Sequence, residues 1–128
     1  VNGVQFQLEQ LFANLIGNSL KYVKPDTIAK IQIKSNIVHR DDLPIELLKY
    51  GFTYVKLEFI DNGIGFEKKY EEKIFEIFQR LHGKNEFSGT GLGLSICKKI
   101  VQSHNGIIEA KGELDKGAVF TIYLPTLM

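Results

Sequence analysis

At 128 residues and 14.5 kDa, with 44% hydrophobic and 24% charged residues, the chain has the length of one domain and an ordinary globular composition. Disorder, collagen and coiled coil are excluded on that ground. Sixteen basic against 15 acidic residues leave a net charge of +1, so neither nucleic acid nor a membrane surface is expected as a partner. The single cysteine, Cys97, excludes a disulfide framework and a multi-thiolate metal site, and a reducing compartment follows. The apolar stretches are too short for a membrane span and no leading signal peptide is read, so a cytoplasmic location is expected.

In chain order, residues 6–23 read as a helix. Leu8, Leu11, Phe12, Leu15, Ile16, Leu20 and Val23 fall on one arc, and Pro25 lies just beyond the end. Residues 30–38 alternate Ile31, Ile33 and Ile37 with polar residues, the pattern of a half-buried strand. Residues 41–51 form a polar insertion, longer than a hairpin needs, with a short helix expected at 45–49. A second strand over 53–60 runs into the turn cluster Asp61-Asn62-Gly63-Ile64-Gly65-Phe66. Residues 69–80 suit one helix or two short ones, and 83–90 a mobile polar loop, with 82–90 expected to be poorly ordered without ligand. Residues 92–103 read as a helix stopped at Asn105-Gly106, with Gly106 suited to the left-handed position. Strands over 107–112 and 118–124 close the chain. This order predicts an α+β two-layer sandwich, a mixed sheet covered on one face by about three helices.

Three groups of residues carry chemistry. Gln10, Asn14, Asn18 and Lys21 share one face of the first helix, away from the leucine arc. Carboxamide oxygens suit Mg²⁺ and a lysine suits phosphate, although a plain solvated face has the same spacing. Asp61 with Gly63 and Gly65 offers a carboxylate and a backbone open to close approach by a flat ligand, although Asp, Asn and Gly are also what ordinary turns use. Gly89-Thr90-Gly91-Leu92-Gly93-Leu94 opens a helix and presents backbone N–H groups to an anion. That run has neither the Gly-Lys-Ser/Thr of a P-loop nor the spacing of a dinucleotide fingerprint. His39-Arg40-Asp41 mimics a protein-kinase triplet without its other parts, and His39, His82 and His104 show no ligand spacing and read as surface residues. Cys97, beside Ile96 and Ile100, reads as a buried inert thiol, and Phe75 and Phe78 as core.

In combination the motifs resemble the catalytic ATP-binding domain of a sensor histidine kinase, of the Bergerat (GHKL) fold. Asn14-Leu15-Ile16-Gly17-Asn18-Ser19-Leu20-Lys21-Tyr22 is similar to that family's N box, and Asp61–Phe66 to its G1 box. Ile74–Arg80 resembles the F box, Gly89–Leu94 the G2 box, and Lys116-Gly117-Ala118 the terminal glycine motif. Phe78–Gly83, followed by the G2 box, looks most like the phytochrome and PAS-linked sensor kinases. The resemblance implies one ATP-binding domain over 1–128 that needs ATP and Mg²⁺. Asp61 would accept from the adenine amino group, with Gly63 and Gly65 shaping the pocket. Asn18 would ligate Mg²⁺ with Asn14 beside it, and Lys21 and Tyr22 would contact the nucleotide. Residues 79–90 would form a lid hinged on Gly89, Gly91 and Gly93, with Phe75 and Phe78 at its base and Arg80 reaching the γ-phosphate. Asn14, Lys21 and Arg80 are the residues implied to assist transfer, and Thr90, Leu92 and Leu94 complete the phosphate loop.

The resemblance also implies partners. The phosphate acceptor would be a histidine on a dimerisation domain of the same full-length kinase, and a response regulator would follow. None of the three histidines here has the acceptor setting. Two departures stand out: Val4 occupies a position where the family favours an acidic residue, and the chain begins almost directly before the N box. It is therefore expected to be excised from a longer protein, with an incomplete first strand. Gyrase- or MutL-type ATPases and anti-sigma serine kinases are the enzymatic rivals. They typically carry Glu where this chain has Asn14, and a carboxamide takes no proton. A degenerate docking module is the non-enzymatic rival, opposed by the intact Asp61, Asn18 and glycines.

Overall fold

The computed structural model describes residues 3–50, 53–76 and 93–126. Residues 77–92, which carry the expected lid, Phe78, Arg80, His82, Gly89, Thr90, Gly91 and Leu92, lie outside the described residues.

Helix α1 spans Gln5–Lys21 and buries Leu11, Leu15 and Ser19, one residue per turn. Strands β1 (Ile31–Val38), β2 (Tyr54–Asp61), β3 (Ile107–Glu113) and β4 (Gly117–Pro125) form a four-stranded sheet in the order β1-β2-β4-β3. Helix α2, Gly93–Ser103, joins the second half of the chain to β3. The expected α+β class holds, with two corrections. First, every neighbouring pair in the described sheet is antiparallel, not mixed. The crossover through α2 returns β3 in the direction of β2, but β4 turns back and inserts between them, so no parallel neighbours form. Second, the helix layer has two α-helices among the described residues rather than about three. The apolar residues of 69–76 build two 3₁₀ turns, Lys68–Tyr70 and Lys73–Phe75, the alternative of two short helices expected for this stretch.

The core lies between the helices and the sheet, where Leu11, Leu15, Cys97, Val101, Phe120 and Ile122 are almost wholly buried. Phe12 meets Phe59 with ring centroids 5.8 Å apart, and Phe75 sits edge-on to Phe120 at 6.3 Å, so Phe75 is core as expected. The half-buried pattern expected for the first strand is not realised. Ile33 and Ile37 are 51% and 65% exposed, because α1 covers β2 and the helix layer stops short of the edge strand. The insertion instead covers one end of the opposite sheet face. It forms 3₁₀ turns at Arg40–Asp42 and Ile45–Tyr50, the latter matching the short helix expected there. Leu47 packs there with Val38, Tyr54 and Tyr123 as a second small core.

The two α-helices run antiparallel. Cys97 lies against Leu11 and Asn14, whereas His104, further along α2, reaches Val4 at the start of α1. The end of α1 and the beginning of α2 therefore meet at the end of the sheet that holds Asp61. The end of α2 differs from expectation: Asn105, not Gly106, takes the left-handed conformation, with φ 62°. Gly106 N–H donates to the Val101 carbonyl at 2.9 Å and Asn105 N–H to that of Gln102 at 3.0 Å, which is a Schellman motif. Gly106 is required for another reason, since a Cβ there would strike the Tyr123 carbonyl of β4.

Candidate functional site

The turn cluster after β2 is no ordinary turn. One Asp61 carboxylate oxygen, Oδ1, accepts from the N–H groups of Gly63 at 2.9 Å and Ala118 at 3.2 Å. The other, Oδ2, accepts from the hydroxyl of Ser19 on α1 at 3.0 Å. A carboxylate offers about four lone-pair directions, so Oδ1 is saturated and Oδ2 retains one. Asp61 itself is only partly buried.

The loop that follows is bolted to three neighbours. Ile64 N–H donates to the Tyr22 carbonyl at 2.9 Å, which ties the loop to the end of α1. Asp115 N–H donates to the Ile64 carbonyl at 2.8 Å, and Lys24 Nζ to the Asp115 carbonyl at 2.9 Å. The Asn62 side chain bridges the segment before β1, accepting from Lys30 N–H at 2.8 Å and donating to the Ile28 carbonyl at 3.0 Å. Gly65 has φ +66°, and a Cβ there would run into the Glu113 carbonyl oxygen. A Cβ on Gly63 would strike the Tyr22 carbonyl. Both glycines are thus demanded by the protein's own packing.

On α1, Gln10, Asn14 and Asn18 are half-buried and Lys21 is exposed in the last turn. The polar row is therefore not a fully solvated face; it flanks the buried row of Leu11, Leu15 and Ser19. The Asn14 side chain lies against the Cys97 thiol and favours the thiolate slightly. Burial dominates nonetheless and pushes the Cys97 thiol up to about 12, as an inert thiol requires. Tyr22 caps α1, its N–H donating to the Asn18 carbonyl at 3.3 Å. Gly93 opens α2 with nothing among the described residues within 4 Å of a Cβ position, and Leu94 is half-buried against the core. Among the described residues no group of three or more His, Cys, Asp or Glu is placed to hold a metal.

Two residues escape the sequence reading. Ser19 sits within the helix motif but reads as an ordinary helix residue; its position one turn beyond Leu15 on the buried row was the available signal. His104 is a correction: it is buried, not on the surface. Its Nε2 accepts from Val4 N–H at 3.0 Å and its Nδ1 faces the Ile100 carbonyl at 2.8 Å.

Asp61 is thus fixed at a strand end against the last turns of α1, the helix that carries Asn14, Asn18 and Lys21, and the class of protein follows from the comparisons. Residues 3–128 match the family described as histidine kinase-, DNA gyrase B- and HSP90-like ATPase. The chain belongs to that family, as an ATP-binding catalytic domain of the sensor histidine kinase type. It is 38% identical over 119 residues to Cyanobacterial phytochrome A of a Nostoc species, covering 93% of this chain and 14% of that protein. It is likewise 38% identical over 121 residues to the phytochrome-like protein Cph1 of a Synechocystis species, covering 94% and 14%. Among solved structures, the catalytic domain of histidine kinase ThkA superposes with a TM-score of 0.71 at 28% identity, covering 98% of this chain and 70% of that one. The chain thus spans about one seventh of the length of these curated relatives.

Proposed function

We propose that this domain binds Mg·ATP at the Asp61 end of the sheet and presents the γ-phosphate to a histidine on a separate dimerisation domain of the same kinase, for relay to a response regulator. The observation that carries the reading is the Asp61 carboxylate, held by three donors with one lone pair left for a ligand N–H. An exocyclic amine such as that of adenine suits that acceptor. The nearby end of α1 supplies the polyphosphate end of the site. Asn18 and Asn14 would hold Mg²⁺ through carboxamide oxygens, and their half-buried, hard-donor character fits that ion. When bound, Mg²⁺ neutralises phosphate charge as the γ-phosphoryl group is transferred.

The chain's own residues do the rest. Lys21 brings positive charge to the phosphates from the last turn of α1. Tyr22 contacts the sugar or base. Gly93 and Leu94 contribute backbone at the start of α2, where N–H groups and the helix dipole favour an anion. Gly89, Thr90, Gly91 and Leu92 complete the reading as nucleotide-binding residues, and Arg80 as the residue that reaches the γ-phosphate. Catalysis is positioning and charge stabilisation, with no proton-accepting group at Asn14. A cytoplasmic location belongs to the same proposal; no helix among the described residues is long and apolar enough to cross a membrane.

The test is binding of a non-hydrolysable ATP analogue with and without Mg²⁺. In Asp61→Asn the amide oxygen can still accept from Gly63 and Ala118, and Ser19 can turn to accept from the new N–H₂. The fold is expected to persist while that N–H₂ opposes the adenine amine, weakening binding by about 1–3 kcal/mol. Asn18→Ala is expected to remove the Mg²⁺ dependence. Parent-like affinity in Asp61→Asn overturns the adenine assignment.

A further inference from the structure

The buried hydroxyl of Ser19 is the one polar side chain on the buried row of α1, and its bond leaves the helix altogether. A serine within a helix commonly returns its hydroxyl to the carbonyl four residues back. Ser19, only 4% exposed, instead spans 42 positions of sequence to donate to Asp61 Oδ2. That oxygen is the one with a lone pair remaining, because Oδ1 is occupied by Gly63 and Ala118. We infer that Ser19 is a positioning residue for base selection: it fixes the Asp61 carboxylate so that its one open lone pair meets the ligand's amine. This rests on the reading of Asp61 as the adenine acceptor.

The physical argument is one of donors and acceptors. The two N–H groups on Oδ1 hold one end of the carboxylate, and one more bond is needed to stop Oδ2 from swinging. With its proton committed to Asp61, Ser19 has no donor left to offer a carbonyl. The pair together therefore present acceptors only. A base with an amino group at its six position is matched, and a base with an oxo group there meets only lone pairs. Without Ser19 the carboxylate is held at one end, water can replace the amine, and an oxo base can be accommodated as the carboxylate turns away.

The experiment measures binding of ATP and of inosine triphosphate, which carries oxo in place of amino at that position. The proteins are the parent, Ser19→Ala, Ser19→Cys, Asp61→Asn and the Ser19→Ala/Asp61→Asn double variant. Thermal melting of each establishes that it is folded. Ser19→Ala is expected to lower ATP affinity about five- to thirtyfold while inosine triphosphate is nearly unaffected, so the preference narrows. Ser19→Cys, a near-isostere with a weaker donor, is expected to fall between, and supplies the same comparison should the alanine variant be unstable. Because Ser19 acts through Asp61, its removal is expected to cost little more in the Asp61→Asn background. An equal loss for both nucleotides makes Ser19 a structural residue and overturns the inference. Parent-like behaviour of Ser19→Ala alongside weakened Asp61→Asn overturns it too, leaving the adenine assignment standing. Parent-like Asp61→Asn removes that assignment and the inference together.

Discussion

Cys97 illustrates how a residue without chemistry of its own can serve the site. It is fully buried, its thiol directed at the Leu11 carbonyl, and it lies against Asn14, one of the two carboxamides proposed to meet the metal. The thiol, ordinarily near 9.0, is raised to about 12 because burial disfavours the thiolate, with Asn14 opposing that only partly. The sign of the resulting pH dependence follows. Above about pH 9 the unfolded chain releases this proton while the folded chain keeps it, so unfolding is favoured as pH rises through that window. Stability is expected to fall by about 1.4 kcal/mol per pH unit more steeply in the parent than in Cys97→Ala between pH 9 and 11. Urea unfolding of both proteins at successive pH values checks this; parallel curves would contradict the raised thiol.

At the scale of elements, α1 is an unusual helix. It starts at Val4 without a side-chain cap, and its start is held instead by His104 from the far end of α2. Nδ1 faces the Ile100 carbonyl while Nε2 accepts from Val4 N–H, so one imidazole ring serves both helix ends. Gly3 lies flat against that ring, where a Cβ would strike Nε2. His104→Ala removes the acceptor of Val4 N–H, whereas the Ile100 carbonyl keeps the backbone N–H of residue 104 and the Ser103 hydroxyl, and the cost is expected to be about 1 kcal/mol. The loss should appear as faster amide exchange over the first turn of α1, while the Asp61 end keeps its protection. Gly17, in the interior of α1, has nothing among the described residues within 4 Å of a Cβ position and offers the opposite change. Gly17→Ala is expected to raise stability by about 0.5–1 kcal/mol in thermal or urea unfolding, because no contact offsets the gain in helix propensity.

For the whole molecule, the prediction concerns division of labour. With Asn14 in place of a base and no acceptor histidine in its own sequence, the domain is expected to bind ATP yet hydrolyse it very slowly. Supplying a separate dimerisation domain that bears an acceptor histidine, ideally the cognate one, is expected to yield acid-labile, base-stable label from γ-labelled ATP on that partner. Substituting His39 or His82 should leave the transfer intact, and Asn18→Ala should abolish it. Label on this chain's own histidines, or rapid hydrolysis without a partner, would favour the ATPase rival.

Much of this was legible in the sequence because local patterns decide it. The apolar arc from Leu8 to Ile16 made α1, although Leu20 on the same arc is 56% exposed, alternation made β2 and β4, and Asp61-Asn62-Gly63 marked the end of a strand. The spacing of Asn14, Asn18 and Lys21 put them on one helical face, and the family resemblance rested on those same residues. Tertiary structure alone decided the rest. Whether Ile33 and Ile37 are covered depends on how far a separate helix layer reaches, which alternation within β1 does not encode. The insertion became a second small core because Leu47 found Tyr54 and Tyr123 across the sheet. His104 is buried because α1 begins where α2 ends, and Ser19 finds Asp61 across 42 residues because both lie at the same end of the sheet. Short-range periodicity fixes which side of an element is apolar; only packing fixes which polar group on that side has a partner, and which partner it is.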